Sequence, residues 1–517
     1  MLGTLTTSVL GYVRAFVVAR YFGQTNDTDA FYAALTVPQM VYDQLIGGTI
    51  GAVLIPSFTR LAGQDDRELW RLVGAMLTLV VLALLGAVLL LEAAAQPVMQ
   101  LIASGFNLRT HPGTLPLAVK LLRLLLPALL FMGLSAVALA TLYSLGRRAV
   151  ASFTTGCYHL GIILAAVLAA ARWGIAVLAV GAVAGAALQF AAQVPALTRA
   201  RGRTGSLFRR FDLHDPTLRH MIRLYLPVAA GMCVSIAGQI ADINFKSHLP
   251  QHGGLTSMQN ATQLIQFPVG IVISALGYAM LPSISADAAA GDLARFKETL
   301  VVGFRLVLVL MVPAMVGTLT LATPIVALLF EGGKFTHQDT LHTATALLGY
   351  APQLPFIGLD QLLIAAFYAR HNTVTPVLVG VVGVGVYVAV AALLLGPLTI
   401  FGLALANTVQ IAAHAVILLL LLLGAIGSLP LRPLGAAMAR IGLAAGGMAA
   451  AALAAERWLA PSGAGALHRL AALGLPMLLA LAVYAGLLLL LQLEEATLAW
   501  QVVARRTTRL RGVQRGR

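Results

Sequence analysis

Arg14, Asp43, Asp242 and Asp360 are ionisable side chains set inside long apolar runs of this 517-residue chain. A charge at the centre of a membrane helix costs about 2.5–3.5 kcal/mol on insertion scales, so it faces a partner, a cavity or water. Arg14 is the sharpest case. It stands mid-run, too far from either end to snorkel, and reads as a cavity cation for an anionic ligand or as half of a structural ion pair. Asp29 is its natural partner or an outer-gate residue, and a helix N-cap explains an aspartate there equally well. Asp43 follows Tyr42 and precedes the small-residue run Gly47-Gly48-Thr49-Ile50-Gly51, where a cavity or close helix packing is expected. Arg20 and Lys246 fall near the outer interface, as snorkelling or gate residues. Asp242 and Gln239, with Asn407 and Thr408, carry enough oxygen for a cation site; interhelical hydrogen bonding explains them as well. Asp360 is open in the same way, and Glu331 and Lys334 read as solvated loop charges.

Catalytic chemistry finds little support. There is no H-E-x-x-H, Walker loop or G-x-S-x-G. His159, His220, His248, His371 and His414 are scattered, and the run Asp65-Asp66-Arg67-Glu68 is explained by a solvated loop. Cys157 and Cys233 lie in apolar segments and suggest neither a disulfide framework nor a metal site. The reading is a transporter rather than an enzyme, with no resident cofactor. Without an ATP motor, its energy comes from a gradient of Na+ or H+, the membrane potential or downstream consumption of the product.

The elements that must position these residues follow from composition. The chain is 59% hydrophobic and 10% charged, against about 25% charged in a soluble domain. Apolar runs near the roughly 20 residues that cross a bilayer recur throughout, and they lack barrel alternation. The expected fold is an all-α polytopic membrane protein with about fourteen spans, near 3–24, 29–58, 72–96, 117–145, 151–171, 174–197, 219–245, 256–284, 299–329, 341–369, 373–396, 400–424, 436–455 and 467–492. An even number puts both termini on one side. With that side cytoplasmic, inner loops and the tail collect most of the arginines, while Arg109, Arg172, Lys246, Lys334, Arg457 and Arg469 fall outside. The net charge of +15 is then a topology signal, with the tail free to touch anionic headgroups; nucleic acid is not the expected partner.

The first six spans (1–200) and the next six (219–425) look alike, joined by a basic cytoplasmic linker, 201–218. Gly51-Ala-Val-Leu-Ile-Pro56-Ser57 answers Gly277-Tyr-Ala-Met-Leu-Pro282-Ser283, 226 residues on (282 − 56), and Arg20 meets Lys246 at the same offset. Six spans is an even number, so the repeats run parallel, and two parallel six-helix lobes imply a central cavity. Spans at 436–492 are extra, and 493–517 is a basic cytoplasmic tail.

Several stretches are more specific. They are Val9-Leu-Gly-Tyr-Val-Arg14-Ala-Phe-Val-Val-Ala-Arg20-Tyr-Phe-Gly23, Thr28-Asp29-Ala30-Phe31-Tyr32, Gln266-Phe-Pro-Val-Gly270 and Leu329-Phe-Glu-Gly-Gly-Lys-Phe-Thr336. Phe367-Tyr-Ala-Arg370 and Thr375-Pro-Val377 join them, within a resemblance that covers roughly 3–425. Together they resemble the MurJ/MviN family, lipid II flippases of the multidrug/oligosaccharidyl-lipid/polysaccharide exporter superfamily. The resemblance implies fourteen spans in the bacterial inner membrane and translocation of a polyprenyl-diphosphate-linked glycan between leaflets, with cell-wall synthesis enzymes as partners. It places Arg14 and the positions of Tyr42, Asp43 and Gln263 at the substrate cavity, to which the reading of Asp29 as the partner of Arg14 adds Asp29. It also implies arginines where this chain has Ser8, Tyr42, Asp43 and Gln263. A flippase for an exopolysaccharide-type lipid-linked glycan, a small-molecule cation exporter and a transport-inactive envelope scaffold remain as alternatives.

Overall fold

Lipid offers no partner to an open backbone, so apolar runs of this length must close their own hydrogen bonds as helices. A computed structural model describes residues 2–44, 54–62, 64–107, 113–147, 150, 153–201, 233–429, 431–459 and 466–493. These residues are almost all helical, and each expected span overlaps a helix. The glycine run at 47–51, the linker from 202, His220 and the tail from 494 lie outside the described residues.

In chain order the helices begin with α1 (Leu2–Phe22), α2 (Asn26–Gln44), α3 (Ile55–Ala62), α4 (Asp66–Ala93) and α5 (Ala95–Ile102). Next come α6 (Thr114–Leu125), α7 (Ala128–Ser144), α8 (Gly156–Trp173), α9 (Ala176–Arg201), α10 (233–247), α11 (Gly254–Ala279) and α12 (Leu281–Ala289). The last are α13 (Leu293–Thr320), α14 (Ala322–Phe330), α15 (His337–Tyr350), α16 (Gln353–Ala369), α17 (Val374–Ile426), α18 (Leu431–Leu459) and α19 (Ala466–Leu490). Among the described residues, seven helices are each long and apolar enough to cross a membrane, and α6 with α7, bent by 43°, make an eighth. The 53 residues of α17 would run about 80 Å if straight, well over one bilayer. They fold back at Thr399 (φ +46°), beside Pro397, into two limbs. The Asp65-Asp66-Arg67-Glu68 run starts α4, with Asp65 accepting from the Arg67 and Glu68 backbone N–H groups.

The internal repeat reappears in the helix breaks. The α4–α5 break at Ala94 and the α13–α14 break at Leu321 lie 227 residues apart (321 − 94). Pro127 heads α7 and Pro352 heads α16, 225 apart (352 − 127). Proline has no N–H to give the preceding turn and clashes with it, so it belongs at a helix start.

Two compact units emerge, Met1–Gln259 with Phe330–Asp339 and Asn260–Leu329 with Thr340–Arg517. In the first, Phe31, Ala34, Leu121, Leu125 and Leu178 pack α2, α6 and α9 together. A second cluster there joins Phe58, Leu69, Trp70 and Val137 of α3, α4 and α7. Helices α8 and α9 approach through glycines: a Cβ on Gly161 would run into Gly185, the small-residue contact common between membrane helices. In the second unit α18 and α19 pack on α13 through Leu308, Ala444 and Met448, and the Tyr484 hydroxyl donates to the Val309 carbonyl at 3.0 Å. Large apolar side chains such as Leu168, Leu393 and Leu490 remain on the surface, as a lipid-facing protein requires.

Candidate functional site

Arg14 sits on α1, half-buried in the first unit. Its Nε is buried with no hydrogen-bond partner, and it has no ion pair among the described residues. Tyr32 of α2 and Tyr158 and His159 of α8 lie within reach of its field. His159 Nδ1 is also buried without a partner. A charge kept among apolar helices with no counter-charge among the described residues is arranged for a ligand or water.

The polar track continues from there. Tyr158 and Tyr42 pack against one small cluster with Met132 and Ala186, and Asp43 follows Tyr42 in the chain. Gln189 of α9 donates to the Ser135 hydroxyl at 2.8 Å and reaches the Tyr42 hydroxyl at 3.5 Å. The Asp43 side chain is exposed. Arg14, Tyr42 and Asp43 are thus brought onto one track, through Tyr158 and Gln189, which sequence reasoning did not single out. The readable signal is a pair of glutamines in an apolar helix: Gln189 and Gln193 are both buried, and a buried amide needs a partner. Gln263 is a half-buried residue of the second unit.

Asp29 pairs neither with Arg14 nor with the start of its own helix. It is 2% exposed and accepts from the Thr256 backbone N–H at 2.7 Å and the Thr256 hydroxyl at 2.6 Å. It therefore caps the first turn of α11 rather than its own helix, and its partner is not Arg14. A carboxylate there meets the positive end of the α11 dipole. The surrounding contacts join the same two repeat-related helix starts. The Ser257 hydroxyl donates to Gln24 Oε1 at 2.5 Å, and His252 Nδ1 lies 3.0 Å from Asn26 Oδ1, 226 residues away.

Arg20 is exposed, with its guanidinium 6.0 Å from the centre of the Phe16 ring. Its carbonyl accepts from the Lys334 N–H at 2.9 Å, which docks the 331–336 turn on the end of α1. Glu331 lies 3.2 Å from His337. Gly333 holds φ +62°, and a Cβ there would run into the Arg20 carbonyl. Gly333→Ala is expected to destabilise the full chain by about 1–3 kcal/mol, read as a lower melting temperature in detergent; an unchanged melting temperature would contradict this docking.

Lys246 is buried and pairs with Asp242 at 2.6 Å, one turn away on α10. Asp242 thus already has a counter-charge. Thr408 donates to the Gly349 carbonyl at 2.7 Å, and Asn407 reaches Gln410 at 3.4 Å. Asp242 belongs to the first unit, Asn407 and Thr408 to the second. Among the described residues, no group of three or more His, Cys, Asp or Glu side chains is placed to hold a metal ion.

A family model described as "Lipid II flippase MurJ" matches residues 18–472. The chain is 29% identical over 382 residues to the lipid II flippase MurJ of Burkholderia cenocepacia, covering 73% of each. It is 30% identical over 398 residues to the probable lipid II flippase MurJ of Vibrio cholerae, again 73% of each. With the probable lipid II flippase MurJ of Bdellovibrio bacteriovorus it shares 28% over 504 residues, 95% of this chain and 94% of that one. The fold matches a lipid II flippase MurJ solved in an inward closed conformation, with TM-score 0.77, 21% identity and coverage of 94% and 97%. It also matches an inward-facing multidrug resistance MATE family transporter, with TM-score 0.69, 12% identity and coverage of 81% and 94%.

Proposed function

The chain belongs to the MurJ family of lipid II flippases, and from that premise we propose that it carries lipid II from the cytoplasmic to the periplasmic leaflet by alternating access. It is a multi-pass membrane protein. The proposed setting is the bacterial inner membrane with both termini in the cytoplasm, the orientation favoured by the arginine bias. The enzymes that polymerise the precursor outside are the partner class that would drain the product.

The observation that carries this reading is Arg14, a guanidinium among apolar helices with a buried Nε that no group among the described residues accepts from. A diphosphate cannot enter hydrocarbon unaided. An arginine fork can pair with two of its oxygens at once, and Tyr32, Tyr158 and His159 lie within reach of its field. The polyprenyl tail stays in lipid while the polar track through Tyr42, Gln189 and Asp43 meets the sugar–peptide head. In this orientation Asp29, Gln24 and the Lys334 turn knit the first unit at its periplasmic end, and these bonds part for release.

Tyr42 and Asp43 stand where the family resemblance implies paired arginines, and this favours a second reading, a flippase for another polyprenyl-diphosphate-linked glycan. Rescue of a MurJ-depleted bacterium separates the two. Restored growth, with lipid II no longer retained in the inner leaflet, is the expected result. Correct insertion without rescue would move the substrate to the other glycan class.

A further inference from the structure

Asp360 of α16 and His414 on the second limb of α17 make a polar contact that the transport reading above does not use. Asp360 Oδ1 lies 2.6 Å from His414 Nδ1, with the side chains 14% and 15% exposed. His414 Nε2 lies 3.3 Å from the Pro376 carbonyl on the first limb. Neither side chain has another hydrogen-bond or ion-pair partner among the described residues. Across from the ring are Gly380 and Gly383 of the first limb, where added Cβ atoms would stand 3.9 and 3.8 Å from it. The opposing strip is polar, since Asn407, Gln410 and His414 share a face of the second limb.

The hydrogen count is constrained by this geometry. A carbonyl oxygen only accepts, so the Pro376 contact needs a hydrogen on Nε2. A 2.6 Å approach of Nδ1 to a carboxyl oxygen needs a second hydrogen between them. With two hydrogens the pair is neutral in total, as imidazolium–carboxylate or as imidazole–carboxylic acid. Losing one leaves a net negative charge among apolar helices and sacrifices one of the two contacts.

We propose that Asp360 and His414 form a reversible proton-binding site whose proton joins α16 to both limbs of α17. Binding takes a proton from water on one side of the membrane and forms one N–H or O–H bond. Release returns the proton to water, and no electron changes hands. Other ionisable groups lie on the same or adjoining helices: Tyr368, Arg370 and Tyr387; Arg295, Lys297, Glu298 and Arg305 of α13; Asp287 of α12; and His342 of α15. Of these side chains and Asp360, only Asp360 acts on His414. As a coupling site it rests on the transport reading above; as a proton site it does not.

The test uses the full chain in liposomes. An infrared pH titration of the wild type is expected to show a carboxyl–imidazole change that Asp360→Asn and His414→Gln both lack. Asp360→Asn should keep the fold, because its amide oxygen still accepts from Nδ1–H. With the membrane potential clamped at zero, a gradient of one pH unit should change wild-type lipid II translocation by up to about tenfold and leave Asp360→Asn indifferent. A wild-type titration identical to that of Asp360→Asn, or a gradient acting equally on both, would overturn the proposal. A titration that vanishes in the variants, in a wild type that moves no lipid II, would uphold the proton site and remove the substrate reading.

Discussion

Arg14→Ala abolishes rescue of a MurJ-depleted bacterium while the protein still inserts and melts no lower than the wild type. The two halves of this expectation come from one feature. A bidentate charged contact to a diphosphate is made of hydrogen bonds of about 1.5–3 kcal/mol each, and 1.4 kcal/mol is tenfold. Its removal should weaken substrate binding by about a hundredfold or more. The same guanidinium keeps a buried Nε without a partner, so deleting it also relieves a burial cost. A structural residue would show the opposite pattern, with stability falling alongside function. Arg14→Lys keeps the charge and loses the fork, and should lie between the wild type and Arg14→Ala. Complementation, together with thermal melts of the purified variants, checks both halves.

Asp29→Ala is expected to lower stability and function together. The Thr256 N–H and hydroxyl both donate to this carboxylate, which is 2% exposed. Orphaning buried donors costs about 1–3 kcal/mol for each group left unsatisfied. Asp29→Asn retains an accepting oxygen and should recover part of the loss. Because Asp29 pairs with α11 and not with Arg14, combining Asp29→Ala with Arg14→Ala should give additive stability changes, within about 0.5 kcal/mol. A large coupling in that cycle would restore the ion-pair reading.

The fold was legible where the signal is local. Apolar length marks the helices, and Pro56, Pro127, Pro282 and Pro352 mark starts and breaks at matching places in the two repeats. The site was legible only in part. Arg14 stands out because a charge in an apolar run has no cheap explanation. Asp242 and Lys246 sit four apart with the acid first, an order that forms an ion pair along a helix. That local order favours the ion pair over an ion ligand at Asp242. The N-cap expectation for Asp29 looks to its own helix, yet the turn it caps begins more than 200 residues later. Asp360 and His414 are joined only by the fold-back of α17, and no spacing in the sequence announces the pair. Tyr158 matters through its proximity to Arg14 and Tyr42, a fact of helix packing that apolar periodicity does not carry.

The most direct test is translocation itself, in liposomes holding the purified full chain with lipid II loaded in one leaflet and its appearance in the other followed over time. The wild type should move lipid II, and Arg14→Ala, equally well inserted, should not. A wild type no faster than empty liposomes, or an Arg14→Ala protein as fast as the wild type, would contradict the account.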